Sequence, residues 1–94
     1  MHKPVIELTV SNHPGVMSHV TGLFSRRAFN IEGILCGPLG EGTLSRVFLL
    51  VNEDRRLPQL LKELRKLHDV QDVRERSDYD RSVFSRLDTL AGGA

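Results

Sequence analysis

The 94-residue chain has a single cysteine, no tryptophan and almost no net charge. The lone Cys36 excludes an internal disulfide and a cysteine-based metal site. The formal net charge of +1 argues against a nucleic-acid binder, which usually carries a basic face. No stretch approaches the ~20 apolar residues of a membrane span, and no basic-then-apolar leader precedes Val5. We therefore expect no membrane segment and a cytoplasmic location.

What the chain does contain fits one small soluble domain. Hydrophobic residues make up 39% of the sequence and charged residues 27%, which is ordinary for a globular protein. A chain of this length buries only a modest share of its surface in one core. A dimer is therefore a natural way to enlarge that core.

Hydrophobic periodicity predicts four strands and two helices. Alternation of apolar and polar residues over 5–10 indicates a half-buried strand. The sequence predicts three further strands, at 30–39, 44–51 and 70–75. The run 47–51 is expected to be buried on both faces. Apolar residues at helical spacing over 16–28 and 57–67 predict two amphipathic helices, with Pro14 and Pro58 in their first turns.

The resulting order, βαββαβ, predicts an α+β, ferredoxin-like fold. Both helices should lie on one face of an antiparallel sheet, with right-handed crossovers. We assign residues 4–76 to this domain. Residues 77–94 form a C-terminal tail, which we expect to be partly helical or disordered.

A turn feeding the first helix is the candidate ligand site. A helix N-terminus offers unpaired N–H groups and partial positive charge, which suit a carboxylate. Gly15 has no Cβ, so a ligand could approach its backbone and that of Val16 closely. The side-chain carbonyl of Asn12 could accept a hydrogen bond from an ammonium group. In the alternative interpretation, Asn12 only caps the helix and Gly15 only permits the turn.

Asn30, at the start of the second strand, is the second candidate because asparagine is a poor strand former. It either faces a bound amino acid from a neighbouring subunit or bonds its own backbone in a turn. His13 and His19 have no metal-ligand partner at i+4, so we expect surface roles for them. Cys36 reads as a small core residue. No acid, base or nucleophile pattern predicts catalysis.

The residues also resemble a known family. The chain is similar to ACT domains and, more closely, to the small regulatory subunit of acetolactate synthase (acetohydroxyacid synthase), of the short isozyme I kind. The resemblance covers roughly residues 5–75. It is carried by Glu-Leu-Thr-Val at 7–10, Asn-His-Pro-Gly-Val-Met at 12–17, His-Val at 19–20, Gly-Leu-Phe at 22–24, Arg-Arg-Ala-Phe-Asn at 26–30, Glu-Gly-Ile-Leu-Cys at 32–36 and Leu-Leu-Val-Asn at 49–52.

The resemblance implies a homodimer in which two sheets join side by side, with effector sites at the interface. By position, Asn12, Gly15 and Val16 would come from one subunit and Asn30 and Ile31 from the other. Valine is the implied effector. The chain would activate a large catalytic subunit and confer feedback inhibition in branched-chain amino acid biosynthesis. That partner would hold thiamine diphosphate, magnesium and FAD, and this chain would hold no cofactor.

Two departures and two rival functions remain open. Longer small subunits have a second C-terminal domain, whereas this chain has only the tail after Arg76. The tail itself also diverges from the sequence that the resemblance leads us to expect, so its contact with a catalytic subunit stays open. A free-standing ACT-domain amino-acid sensor, acting on another protein, is the main alternative. A small enzyme of ferredoxin-like fold is the third, and the lack of convergent catalytic side chains disfavours it.

Overall fold

A computed structural model describes residues 3–76, so the predicted tail, 77–94, lies outside the described residues. The observed order of elements is βαββαβ, as predicted. Neither helix within residues 3–76 is long and apolar enough to cross a bilayer. The elements are β1 (Val5–Ser11), α1 (Val16–Arg26), β2 (Ile31–Leu39), β3 (Leu44–Val51), α2 (Leu57–Arg65) and β4 (Val70–Arg76).

The four strands form one sheet in the order β2-β3-β1-β4, and every neighbouring pair is antiparallel. β1 therefore lies in the interior of the sheet, while β2 and β4 are its edges. Each helix connects strands that are separated in the sheet by one neighbour, as the ferredoxin-like fold requires. The predicted fold class is confirmed.

The core lies between the two helices and one face of the sheet, called here the inner face. Strand residues that point inward alternate with outward ones because side chains in a strand have a period of two. The two phenylalanines Phe24 and Phe29 meet edge to face, with ring centroids 5.9 Å apart. Fully buried members of the core include Ile6, Leu8, Val10, Val20, Phe24, Val47, Leu49, Val51 and Leu64.

The expectation that 47–51 is buried on both faces is wrong. Along β3, Val47, Leu49 and Val51 are buried, whereas Phe48 and Leu50 are half-exposed on the opposite, outer face. Both helices cover the same side of the sheet, so one face stays partly open to solvent within residues 3–76. Because all the residues of 47–51 are apolar, the sequence does not show which of them point towards the core and which towards the outer face.

A buried carboxylate stands on the outer face. Glu7 is only 6% exposed, and it pairs with Arg76 and, at 3.3 Å, with Arg46 Nε. These partners come from β4 and β3, the strands on either side of β1. The two guanidinium groups compensate a charge that would otherwise be costly to bury.

The inner side of the edge strand β2 has little cover. Ile34 is 40% exposed, and Cys36, two residues further on the same side of the strand, is also exposed. The interpretation of Cys36 as a core residue is therefore wrong. Within residues 3–76, the buried strand residues of the core cluster come from β1, β3 and β4, and β2 adds only the half-buried Ile31.

The topology places one set of loops at each end of the sheet. β1 runs towards one end, and there it meets the β2–β3 turn and the α2–β4 turn: Asn12 N–H bonds Thr43 O at 3.0 Å, and Ser11 N–H bonds Asp69 O at 2.8 Å. Because α1 carries the chain back, Asn30 lies at the opposite end. The candidate residues of one chain are thus separated by the length of β2, about 30 Å at the usual rise per residue.

Candidate functional site

A small cavity opens where β1 ends and α1 begins. Its volume is about 130 Å³, enough for part of a small ligand. Three of the five sequence-predicted site residues, Asn12, Gly15 and Val16, line it together. The other lining residues are Val10, Ser11, His13, Met17, Cys36 and Ser45.

The backbone at the start of α1 is set up for an anion. Gly15 is the N-cap residue with φ 90°, a left-handed conformation that glycine adopts without steric cost. A Cβ built on Gly15 would meet no atom within 4 Å, so the space above it is open. Within residues 3–76, the first backbone hydrogen bond of the i→i−4 helical type in α1 runs from His19 N–H to Gly15 O. Donors in the first turn are thereby left to a ligand or water.

The free N–H donors at the start of α1 are not the two that the sequence predicted, at Gly15 and Val16. Val16 N–H already donates to His13 O, although over a long distance of 3.4 Å. The N–H groups of Gly15, Met17 and Ser18 have no backbone acceptor within the described part of the chain. The first turn therefore offers more than the two donors that the sequence suggested. Pro14, expected inside the helix, lies in the turn before it.

Asn12 does not cap the helix. Its Nδ2 donates to Gly42 O in the β2–β3 turn at 2.6 Å, and α1 has no side-chain cap hydrogen bond. The amide nitrogen is thus committed, and the carbonyl oxygen Oδ1 is the atom that remains to accept a hydrogen bond. The simple capping interpretation of Asn12 is wrong. Gly15, by contrast, has the positive φ that the turn interpretation requires.

Asn30 and Ile31 lie at the other end of β2, far from this cavity. Asn30 is exposed, and its Nδ2 donates to the Glu32 carboxylate rather than to its own backbone. Ile31 is half-buried and packs against the core. Within one chain the structure therefore does not bring all five candidates together.

Sequence reasoning missed a cluster beside the cavity, formed by His13, His19 and Asp69. Asp69 lies in the α2–β4 turn, and its side chain is only 10% exposed. His13 Nε2 is 2.6 Å from Asp69 Oδ1, and His19 Nδ1 is 3.2 Å from Oδ2. The histidines lie 56 and 50 residues from Asp69 along the chain. No local pattern could have revealed the contact.

These contacts change the protonation of the cluster. The hydrogen bond to Asp69 raises the pKa of His13 above its ordinary value of 6.5, and a second bond to Pro14 O raises it further. The same contact with His13, assisted by His19, lowers the pKa of the Asp69 carboxyl below 3.8 despite its burial. Near pH 6 the cluster therefore holds an aspartate beside a protonated His13.

A larger cavity, of about 220 Å³, lies at the opposite end of the molecule, between the end of α1 and the start of α2. Its charged groups are already used inside the chain: Arg27 pairs with Glu63 at 2.8 Å, and Arg56 pairs with Asp54 at 3.0 Å. Arg56 also lies over the Phe29 ring, 5.0 Å from its centroid. A volume greater than that of the first cavity does not make it the functional site, because its charged side chains are paired within the chain.

Within residues 3–76, no group of three or more His, Cys, Asp or Glu side chains is placed to hold a metal ion. The smaller cavity has groups that match the two charges of a small zwitterion: helix-terminal N–H groups suit a carboxylate, and Asn12 Oδ1 suits an ammonium group.

Comparison with known proteins gives the family. The family model for the AHAS small subunit-like ACT domain matches residues 6–72, most of the chain. The chain belongs to the acetolactate synthase small-subunit family. It is 52% identical over 83 residues to the acetolactate synthase isozyme 1 small subunit of Escherichia coli K12, covering 88% of this chain and 85% of that protein.

Two further members of the small-subunit family are less similar to the chain. The probable acetolactate synthase small subunit of Archaeoglobus fulgidus is 40% identical over 74 residues, which span 78% of this chain but 46% of that longer protein. The crystal structure of the acetolactate synthase small subunit from Thermotoga maritima superposes with a TM-score of 0.71 at 28% identity, covering 96% of this chain and 68% of that one. The family places the chain among the regulatory subunits of the synthase, not among its catalytic subunits.

Proposed function

We propose that this chain works as a dimer that binds the catalytic subunit of acetolactate synthase, activates it, and makes it sensitive to valine. The observation that carries the proposal is the cavity where Asn12, Gly15 and Val16 meet in a chain of the small-subunit family. The catalytic subunit, with its thiamine diphosphate, magnesium and FAD, would perform the chemistry. The chain itself would supply regulation only.

The dimer is inferred from the edge strand β2. Its inner side exposes Ile34 and Cys36, and its outer edge has no neighbouring strand within residues 3–76. Antiparallel pairing of two β2 strands would join two sheets into one and cover these side chains. Because the strands would run in opposite directions, Asn30 of the partner subunit would come close to Asn12.

In this arrangement one valine would lie between two subunits. Its carboxylate would accept hydrogen bonds from the N–H groups of Gly15, Met17 and Ser18, and Val16 N–H would join them by giving up its long bond to His13 O. Its ammonium group would donate to Asn12 Oδ1 and to the Asn30 carbonyl oxygen of the partner subunit. Val16 and Met17 would contact the branched side chain, with Ile31 of the partner subunit opposite.

Binding across two subunits explains how a small ligand could regulate a large enzyme. A ligand held by both chains stabilises one arrangement of the dimer over others, and a catalytic subunit that senses the arrangement changes its activity. Couplings of this kind amount to about 1–3 kcal/mol. A free-standing amino-acid sensor would use the same cavity, but it would act without this enzyme.

The test is a reconstitution with an acetolactate synthase catalytic subunit, measuring acetolactate formation with and without valine. The chain should raise the rate, and valine should lower it again. Asn12→Ala should still activate the enzyme but bind valine about tenfold or more weakly, because a hydrogen bond to a charged group is worth about 1.5–3 kcal/mol.

Gln59→Ala is the control. Gln59 also carries a side-chain amide, but it is exposed on α2, where its Nε2 donates to Glu63 at 3.3 Å. This variant should keep valine inhibition. Unchanged valine affinity in Asn12→Ala would remove Asn12 from the site. Failure of the chain to bind the catalytic subunit at all would favour the free-standing sensor.

A further inference from the structure

The loop that leads into α1 is fastened to the α2–β4 turn by one carboxylate. Asp69 accepts hydrogen bonds from His13 in the loop and from His19 in α1, while its backbone oxygen accepts one from Ser11 N–H at the end of β1. Three consecutive parts of the effector region therefore converge on one residue of the α2–β4 turn. His13 itself lines the cavity.

The geometry around His13 requires a particular protonation state. Its Nε2 meets the Asp69 carboxylate at 2.6 Å, and its Nδ1 meets Pro14 O at 2.8 Å. A carboxylate and a carbonyl oxygen can only accept hydrogen bonds, so both ring nitrogens must donate. Only the doubly protonated, positively charged imidazolium satisfies both contacts.

His19 does not have this requirement. Its contact with Asp69 is longer, at 3.2 Å, and it involves Nδ1 alone, so a neutral ring with its proton on Nδ1 satisfies it. Ser11 and Gln71, which meet on the neighbouring strands at 3.4 Å, are uncharged. Within residues 3–76, the ionic contacts of Asp69 are with these two histidines.

We propose that Asp69 and the His13 imidazolium form a proton-dependent clamp that holds the loop of residues 11–15 in the conformation that accepts the effector. The inference rests on the proposed function, since it concerns the affinity of the same site. Loss of the proton from His13 removes one of its two donors. His13 then loses either its bond to Asp69, which ties the loop to the α2–β4 turn, or its bond to Pro14 O, which fixes the conformation of the loop itself. The positive charge beside the effector carboxylate disappears as well.

Linkage fixes the direction of the effect. If the clamped loop binds the proton and the effector more tightly than the released loop, each must strengthen binding of the other. Affinity for valine should therefore fall as the pH rises through the pKa of His13. Asp69 is a positioning residue in this scheme, because it acts on the effector only through the loop.

The test measures valine binding to the full chain by calorimetry between pH 5.5 and 8.0, together with NMR titration of the His13 ring. Wild type should lose about fivefold in affinity over this range, a coupling of the usual size. Asp69→Asn should bind valine weakly at every pH, with less than about twofold variation, and its His13 should titrate at lower pH.

The control is Asp72→Asn, the same chemical change at an exposed carboxylate that pairs with Arg74 on β4. It should keep the wild-type pH profile. His13→Gln, a change at an exposed residue, should give the flat profile even if Asp69→Asn does not fold.

The outcomes separate the inference from the proposed function. A wild-type affinity independent of pH, or a wild-type pH profile in Asp69→Asn or His13→Gln, would overturn the clamp and leave the effector site standing. No valine binding by wild type at any pH would contradict the proposed function, and the clamp as an effector device would be rejected with it.

Discussion

Single residues at the start of α1 have a conformational role that is separable from the binding role proposed for them. Asn12 donates a hydrogen bond from its amide nitrogen to Gly42 O in the β2–β3 turn, and its carbonyl oxygen remains available to accept another. Gly15 is required by its φ of 90° whether or not a ligand binds. A substitution at Gly15 therefore tests conformation first and the effector site second.

Replacing Gly15 by alanine should destabilise the fold by about 1–2 kcal/mol, because a Cβ is unfavourable in the left-handed region. Gly37→Ala is the matched control: a Cβ at either glycine would meet no atom within 4 Å, but Gly37 has no positive φ. The control should lie within ~0.5 kcal/mol of wild type. Urea unfolding measures both, and equal stabilities would show that backbone strain at Gly15 is negligible.

At the scale of elements, β3 shows how one apolar strand serves two environments. Its inner residues belong to the core, whereas its outer residues lie on a face that neither helix covers. The two faces differ in burial although both carry large aliphatic or aromatic side chains. Composition alone does not distinguish them, since the sequence places Phe48, Leu49 and Leu50 side by side.

Adjacent leucines of β3 should respond very differently to truncation. Leu49→Ala removes a fully buried side chain and leaves a cavity, so it should cost about 2–5 kcal/mol of unfolding free energy. Leu50→Ala removes the same atoms from a half-exposed position and should cost less than about 1.5 kcal/mol. Urea denaturation at fixed protein concentration gives both values. Similar losses would mean that the outer face is covered in solution.

At the scale of the whole molecule, one chain does not hold a complete set of the proposed effector contacts. Asn12 lies at one end of the sheet and Asn30 at the other, because α1 returns the chain antiparallel to β1. The proposed pairing of two subunits across the β2 edge would bring these ends together. The exposure of Ile34 and Cys36 on that edge supports it.

A charge placed on the β2 edge should therefore separate the subunits and abolish valine binding together. Ile34→Lys puts an ammonium group on the inner side of β2, where the partner strand would cover it. Glu75→Lys places the same side chain at an exposed position of the other edge strand, β4, and should leave a dimer. Sedimentation velocity gives the oligomeric state. A dimer that survives Ile34→Lys would locate the interface elsewhere.

Much of the fold could be read from the sequence, because its signals are local. Alternation in β1 and helical spacing in α1 and α2 arise from neighbours a few residues apart. These patterns predicted the order of the elements, and most predicted bounds lie within one or two residues of the observed ones. The resemblance at positions 12–17 and 26–36 likewise indicated the small-subunit family, which the family model over residues 6–72 confirms.

Only the tertiary structure decided which distant groups meet. Asp69 contacts His13 across 56 positions and His19 across 50, and Asn12 contacts Gly42 across 30 positions. Cys36 is exposed because β2 lies at the edge of the sheet, which no local pattern records. Local chemistry thus determined the elements and the nature of the site. The order of the strands determined which charged side chains and turns lie beside the candidate site and which strand forms the edge of the sheet. Such contacts depend on how the helices and turns connect the strands, and this connection is not a local property of the sequence.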